Sequence, residues 1–415
     1  MNRIVFAFFL LLLLLAIDWY VFQAVRLATA DVSLTTRKIV YWIFWGVTTL
    51  SVLGVLVVNF ADLSGMKGLR TFIVLGIFIN VMSKLFALIF LLVGDIIRGF
   101  QWLGNFIFSS PEPINPNGRA IPRSEFISKV ALIAGAVPAL TMSYGILSGA
   151  HDYRIRRKTI YFPNLPKEFD GMQIGQLSDI HSGSFFNKTA VKGGVDMLLN
   201  EKPDIIFFTG DLVNNEAEEV KDYISIFEKV KAPLGVYSTL GNHDYGDYKN
   251  WSSEGAKRQN LEDLKVAHKE LGWRLMMNEN LPVKVDGEQI GILGIENWGA
   301  GRFAKYGKMD LAHQGSEEYP FKILLSHDPS HWDAQVRPNY GDVDLMLSGH
   351  THGFQFGVEI GGFQWSPSQY VYKQWAGLYQ EENQYLYVNR GFGYLGYPGR
   401  IGILPEITIL ELKRA

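Results

Sequence analysis

Seven residues of this chain have side chains and spacings suited to binding divalent cations: Asp179, His181, Asp211, Asn242, His327, His350 and His352. They lie in five short polar clusters, each closing an apolar run. Met172–Leu177 runs into Ser178-Asp-Ile-His181, Asp204–Thr209 into Gly210-Asp211, and Leu234–Leu240 into Gly241-Asn-His-Asp244. Lys322–Leu325 runs into Ser326-His-Asp-Pro329, and Asp344–Leu347 into Ser348-Gly-His-Thr-His-Gly353. Imidazole nitrogens and carboxylate oxygens are donors to manganese, zinc or iron. Four imidazoles, two carboxylates and one amide are too many for one tetrahedral ion and suit two ions with a shared ligand. Two divalent ions outweigh two carboxylates, so such a centre stays positive and can hold a phosphate anion. Its chemistry would be hydrolysis of a phosphate ester, with water acidified and phosphoryl oxygens clamped. His243, beside Asn242, is then set to touch the phosphate or protonate the leaving group. Asp244 either orients His243 or belongs to the adjacent turn. A lone His-x-His or Gly-Asp means little; five such clusters in order are hard to assemble by chance.

The elements that must position these clusters read as strands. The apolar runs are strand-length and rich in Ile, Val, Leu and Phe, as strands buried on both faces are. Helical patterns lie between several of them, at Lys188–Asn200 and Glu216–Lys229. Strand–helix alternation implies an α/β domain, whose ligands sit beyond the carboxyl ends of the strands. The first three clusters are about one βαβ unit apart and should share one rim. After Val285, strand-like runs such as Gln289–Ile295 and Tyr385–Val388 suggest a second sheet packed on the first. The doublets Asp179/His181 and His350/His352 need the chain to turn sharply, with Gly349 and Gly353 supplying the freedom. His268, in the helical stretch Leu261–Leu271, reads as a surface residue. His151, His313 and His331 lack partners at ligand spacing. Asn214 and Asn215 suit a supporting or turn role, Tyr245–Gly255 either a lid or local packing, and Arg390 and Arg400 either substrate contact or structural pairing.

These clusters all fall in residues 151–415, which read as one soluble domain. Residues 1–150 read as a transmembrane region of about four helices, near Ile4–Val25, Ile39–Phe60, Phe72–Val93 and Phe126–Leu147. Trp19, Tyr20, Tyr41, Trp42 and Trp45 gather near span ends as an interfacial belt. The first part carries 11 Lys and Arg against 6 Asp and Glu, a net +5; the second carries 28 against 35, a net −7. An acidic catalytic half disfavours nucleic acid as substrate. The chain has no cysteine, which excludes disulfides, thiolate catalysis and Cys-rich zinc sites. Basic residues flanking the spans lean toward an extracytoplasmic catalytic half, and Ile121–Lys129 resembles a twin-arginine export signal with a single arginine. Asp18 and Lys84 fall within spans, where charges are costly; internal pairing or snorkelling is the simpler reading, a relay or lipid site the other. Ser109–Arg119 reads as a loop.

The ordered set Asp-x-His, Gly-Asp, Gly-Asn-His-Asp, His and Gly-His-x-His resembles the calcineurin-like metallophosphoesterases. Ser178-Asp-Ile-His181, His327-Asp-Pro329 and Gly349-His-Thr-His-Gly353 resemble the membrane-associated bacterial branch, over about Tyr161–Leu412. The resemblance implies an αββα fold: a two-sheet sandwich flanked by helices, here preceded by the transmembrane region. It implies that Asp179, His181 and His352 hold one metal, that Asn242, His327 and His350 hold the other, that Asp211 bridges, and that His243 serves the phosphate and leaving group. It suggests manganese, zinc or iron. Phe354 stands where the branch has glycine before Gln355, and should narrow the substrate mouth. The substrate expected is a membrane-linked phosphoester, a phospholipid or lipid–nucleotide; no protein partner is inferable. The competing readings are a membrane sensor or assembly protein whose hydrolase domain mainly binds, and a nuclease.

Overall fold

The computed structural model describes residues 3–62, 66–108, 123–301 and 303–415. The chain divides into two compact units, Met1–Tyr144 and Gly145–Ala415. Ser109–Arg119 and the start of the export-like segment lie outside the described residues.

The first unit consists of helices α1 (Arg3–Ala28), α2 (Leu34–Phe60), α3 (Lys67–Phe108) and α4 (Arg123–Leu147). Each is long and apolar enough to cross a membrane. Helix α3 far outruns the expected Phe72–Val93 span. Its 42 residues extend about 63 Å at 1.5 Å per residue. Beyond Val93 it acquires the polar pair Asp95 and Arg98. Asp18 and Lys84 pair internally at 2.5 Å, both nearly inaccessible. The Lys84 ammonium also donates to Thr48 Oγ1 at 3.3 Å and sits 4.7 Å above the Phe44 ring. The intramembrane charges thus satisfy each other within the bundle.

The second unit holds fourteen strands among its described residues: β1 (Arg154–Phe162), β2 (Gln173–Leu177), β3 (Ile205–Thr209), β4 (Val236–Thr239), β5 (Arg274–Leu275), β6 (Glu279–Val285), β7 (Glu288–Gly294), β8 (Lys322–Leu325), β9 (Leu345–Ser348), β10 (Val358–Ile360), β11 (Phe363–Trp365), β12 (Gly377–Glu381), β13 (Gln384–Val388) and β14 (Glu406–Arg414). Twelve of them form two six-stranded sheets, in the orders β1-β14-β2-β3-β4-β5 and β12-β13-β9-β8-β7-β6. The central strands β2-β3-β4 and β9-β8-β7 are parallel within their sheets.

Alternation along single strands builds the layers. In β3, Ile205 and Phe207 join the core between the sheets, while Ile206 and Phe208 join the core under the helices. In β8, Ile323 and Leu325 face inward and Leu324 faces the opposite layer. The result is a two-sheet sandwich flanked by helices, as the apolar runs required. Lys188–Asn200 is a helix over the expected residues, capped by the Asn187 side chain.

Glu216–Lys229 departs from expectation. Residues Ala217–Tyr223 form a 3₁₀ helix and Ile224–Phe227 a single α turn. In the 3₁₀ stretch the buried residues Ala217, Val220 and Tyr223 recur every three positions, the 3₁₀ period. His268 also departs from expectation. It is fully buried on the helix Glu254–Glu270, with Nδ1 at 3.0 Å from Ser238 Oγ on β4.

Candidate metal centre

All five clusters leave carboxyl ends of strands, but not of one sheet. Asp179, Asp211 and Asn242 follow β2, β3 and β4 of the first sheet; His327 and His350/His352 follow β8 and β9 of the second. The centre therefore sits where the two parallel halves of the sandwich meet. Asp179, His181 and His352 offer donor atoms within 4.8 Å of one another, and Asp211, His327 and His350 form a second such group. Asn242 and His243 line the same cavity of about 530 Å³ as Asp211, His350 and His352.

The local backbone is unusual. Asp179, His181, Asp211, His350 and His352 all adopt left-handed conformations, with φ between 50° and 72°. Such residues are uncommon outside glycine, and they cluster where the surroundings fix a functional geometry. The left-handed turns allow both members of each doublet to point inward. Gly349 has a different part from the one expected of it. Its backbone is not left-handed; a Cβ there would overlap Ser178 Oγ and Asp179 Oδ2. The position must be glycine so that the two strand ends can close on each other.

The hydrogen bonds fix which ring nitrogens face the centre. His327 Nδ1 donates to the Thr209 carbonyl at 2.7 Å, leaving Nε2 at 3.2 Å from Asp211 Oδ2. His181 Nδ1 meets Asn214 Oδ1 at 3.1 Å, leaving Nε2 at 3.5 Å from the same carboxylate oxygen. His350 turns Nε2 to the Tyr372 hydroxyl and Nδ1 toward His327 Nε2, at 3.3 Å. Arg400 donates toward His352 Nδ1 at 3.2 Å, leaving Nε2 turned to the centre, 3.2 Å from Asp179 Oδ1. Asn242 donates its amide to Tyr248 at 2.9 Å, and its Oδ1 is buried with no hydrogen-bond partner among the described residues.

These observations fit a pair of cations. Nε2 of His181 and Nε2 of His352 lie 3.1 Å apart beside ionised carboxylates, and an orphaned amide oxygen borders the same space. Charge points the same way. Burial pushes Asp179 and Asp211 upward, but the imidazoles beside them, His352 for Asp179 and His327 for Asp211, hold both well below the usual carboxylate range. Burial lowers His181 to about 3, which keeps a lone pair available. His327 is raised to about 10: burial opposes this, but Asp211 demands a positive charge at that position. A cation would satisfy the same demand.

Asp244 belongs to the turn and does not orient His243. Its Oδ2 accepts from the backbone N–H of Asp211 and Gly241, and its Oδ1 from Leu212 and Val213. His243 is held instead by the Asn214 carbonyl, 2.8 Å from Nδ1, while its own backbone N–H donates to Asp211 Oδ1 at 2.9 Å. Arg390 is committed to Glu359 and Glu406, and Arg400 to the carbonyls of Arg390, Gly391 and Gly393. Both arginines are structural, and Arg400 also positions His352. In the Tyr245–Gly255 segment, Tyr245 is buried and stacked on Tyr306. Tyr248 supports Asn242 and packs on the His243 ring. Phe303, Tyr372 and Tyr397 line the cavity, and no sequence signal marks them; their only shared trait is lying in aromatic-rich loops. Phe354 lines it too. Its φ of 52° explains why glycine suits this position.

A sandwich with two donor groups at its strand ends, preceded in the chain by four apolar helices, defines a membrane-bound metallohydrolase. Residues 172–354 match the family model of the calcineurin-like phosphoesterases. Residues 2–150 match the model described as "Probable Calcineurin-like phosphoesterase, transmembrane domain". An uncharacterised metallophosphoesterase of Bacillus subtilis strain 168 is 30% identical over 309 residues, 71% of this chain and 99% of that one. A transmembrane protein with metallophosphoesterase domain from Bos taurus is 30% identical over 318 residues, 72% of this chain and 66% of that one. A solved phosphopantetheinyl hydrolase from Mycobacterium tuberculosis aligns over 50% of this chain and 94% of its own, at 13% identity and a TM-score of 0.28, too loose to carry an argument. The chain belongs to the calcineurin-like phosphoesterases. It is a metal-dependent phosphoesterase, and a multi-pass membrane protein.

Proposed function

We propose that residues 151–415 hydrolyse a phosphoester carried by an amphiphilic, lipid-linked substrate, and that residues 1–150 keep that domain on the membrane. The observation that carries this reading is the two-sided cavity. It is lined on the polar side by Asp211, Asn242, His243, His350 and His352, and on the apolar side by Phe303, Phe354, Tyr372, Leu395 and Tyr397. A phosphate suits the polar side and an apolar moiety suits the other.

In this reading Asp179, His181 and His352 hold one divalent ion; Asn242, His327 and His350 hold the other; Asp211 serves both. Nitrogen and oxygen donors suit manganese, zinc or iron. When bound, the ions supply Lewis acidity and offset the phosphate charge. The chain's own residues supply orientation. Asn214 and Thr209 fix the tautomers of His181 and His327 through the hydrogen bonds on Nδ1. Tyr248 holds the Asn242 amide so that Oδ1 faces the centre. His243, with Nδ1 anchored on the Asn214 carbonyl, presents Nε2 to the phosphate and passes a proton to the leaving oxygen.

The test pairs metal analysis with a panel of phospholipid and soluble phosphoesters, comparing wild type with His243→Ala. The variant keeps the backbone N–H that donates to Asp211. It should retain its metal while turnover falls by roughly 10² to 10⁴. Equal turnover would refute the role of His243. Activity on soluble esters with none on any lipid ester would refute the lipid-linked substrate.

A further inference from the structure

Beyond the cavity rim the chain forms a hairpin whose first strand, with the residues leading into it, is inverted in polarity; on the second strand Phe363 and Gln364 are both exposed and Trp365 is half-buried. From Phe354 to Ile360 the residues alternate outward and inward with period two. Phe354, Phe356, Val358 and Ile360 are exposed, and Gln355 is buried. The inward polar groups are fully engaged. Gln355 donates to the carbonyls of Tyr397 and Gly399 and accepts from the Leu395 backbone N–H. Glu359 pairs with Arg390 at 2.8 Å and with Arg156. Strand β10 then pairs with β11, setting Ile360 opposite Phe363 across a Gly361-Gly362 turn. Ile360 is 74% exposed and Phe363 62%; Val371, 65% exposed, follows Tyr370, whose hydroxyl accepts from the Trp365 ring N–H of β11. Glu359, turned inward, is the one charged residue between Phe354 and Tyr372.

A hairpin made for water would carry the reverse pattern, with Gln and Glu outward and the aromatics buried. Apolar-out, polar-in alternation is the pattern of strands that face hydrocarbon. A contiguous exposed apolar patch of this kind marks an interaction surface. Among the described residues of the same chain, four helices are long and apolar enough to cross a bilayer, so the chain that carries this face is itself anchored in lipid. The patch is continuous with the catalytic cavity, because Phe354 belongs to both.

We propose that the Phe354–Val371 face docks into the interfacial layer of a phospholipid bilayer, with the β10–β11 tip immersed among the acyl chains. Its catalytic consequence rests on the lipid-linked reading above: an ester at the lipid surface reaches the donor set along Phe354 without its apolar part entering water. The docking itself does not depend on that reading and is measured apart from it.

The cysteine-free chain permits a clean test. Nitroxide labels are placed on Ile360→Cys and Phe363→Cys, and on Val266→Cys as a control on the helix Glu254–Glu270. The full chain is reconstituted in phosphatidylethanolamine–phosphatidylglycerol bilayers. Turnover of a soluble phosphoester confirms that each labelled protein is folded. Labels at 360 and 363 should collide with dissolved oxygen and be shielded from a water-soluble nickel chelate, while the label at 266 shows the opposite. Nickel access at 360 and 363 equal to that at 266 would overturn the proposal. Shielding from both reagents with spin–spin broadening would also overturn it, by showing that a second copy covers the face. As a functional readout, Ile360→Glu/Phe363→Glu should lower turnover of a bilayer-borne phosphoester by roughly tenfold or more and leave turnover of the soluble ester unchanged. Equal loss on both would refute the delivery role while the label data still decide docking.

Discussion

Asp179, His181, Asp211, His350 and His352 hold left-handed backbones that glycine would adopt without strain. That strain persists because each residue's side chain and neighbouring amides are committed elsewhere. His350 N–H donates to both Asp179 oxygens at 3.0 Å, so the two doublets brace each other across the sheets. Gly349 lies at that junction. Gly349→Ala would force apart Ser178, Asp179 and the His350 turn. Turnover should fall on the order of a hundredfold, as for a displacement near 1 Å in a catalytic centre, and metal content should fall with it. Full activity and full metal occupancy would contradict the steric role of Gly349. At this scale the candidate donors are legible in sequence, because five clusters bearing His, Asp and Asn, in order at the ends of apolar runs, are hard to assemble by chance. Spacing alone suggests flexibility for Gly349, whereas its importance is steric. Only its approach to Ser178, from a strand far earlier in the chain, reveals that.

At the scale of elements, the helix Glu254–Glu270 seals the outer face of the first sheet with His268 turned inward. Burial lowers the His268 imidazole to about 3, and burial also lowers His331 to about 4. Both folded values lie below that of an unfolded histidine, near 6.5. Between these values the unfolded chain binds protons that the folded chain refuses, so stability rises with pH across the window and is lost as pH falls. For His268 alone the loss from pH 7 to pH 4 amounts to up to about 3 kcal/mol. Thermal unfolding of the detergent-solubilised protein should show this acid sensitivity, and His268→Leu should flatten it. An unchanged pH slope in the variant would count against the buried neutral imidazole. Sequence alone puts His268 on the surface, because a single histidine barely shifts a helical pattern. The face a helix buries depends on the sheet it meets, which no local window contains.

The Asp18–Lys84 pair binds elements across the membrane unit. Lys84→Met leaves a buried carboxylate unpaired and should destabilise that unit by about 3–5 kcal/mol. Asp18→Asn/Lys84→Met should recover much of that loss, which a detergent thermal-stability assay would read. Failure of the double variant to recover would assign Lys84 a use beyond pairing.

For the molecule as a whole, the proposed metals should stabilise the fold as well as serve the chemistry, because their donors are buried charges and imidazoles packed together. Without cations the centre confronts two buried carboxylates with crowded imidazoles. Chelation should abolish activity and lower the unfolding temperature of the catalytic unit. Ions at a thousand times their dissociation constant contribute about 4 kcal/mol to the folded state. Restoration by manganese, zinc or iron would follow. A melting temperature indifferent to chelator would refute tight metal binding in the folded state.

The sequence alone determined the chemistry, the α/β class and the membrane region. Each rests on local information: ligand types at strand ends, apolar periodicity, and runs long enough to span a bilayer. The family resemblance also lay in those motifs. Tertiary structure decided what depends on distant neighbours. It assigned His327, His350 and His352 to the second sheet, placed Asp244 in a backbone staple, and tied Arg400 to His352. It also showed that the Phe354–Ile360 alternation points its apolar side outward. Periodicity fixes that two faces differ, but only the packed fold determines which face meets the core and which meets the surroundings.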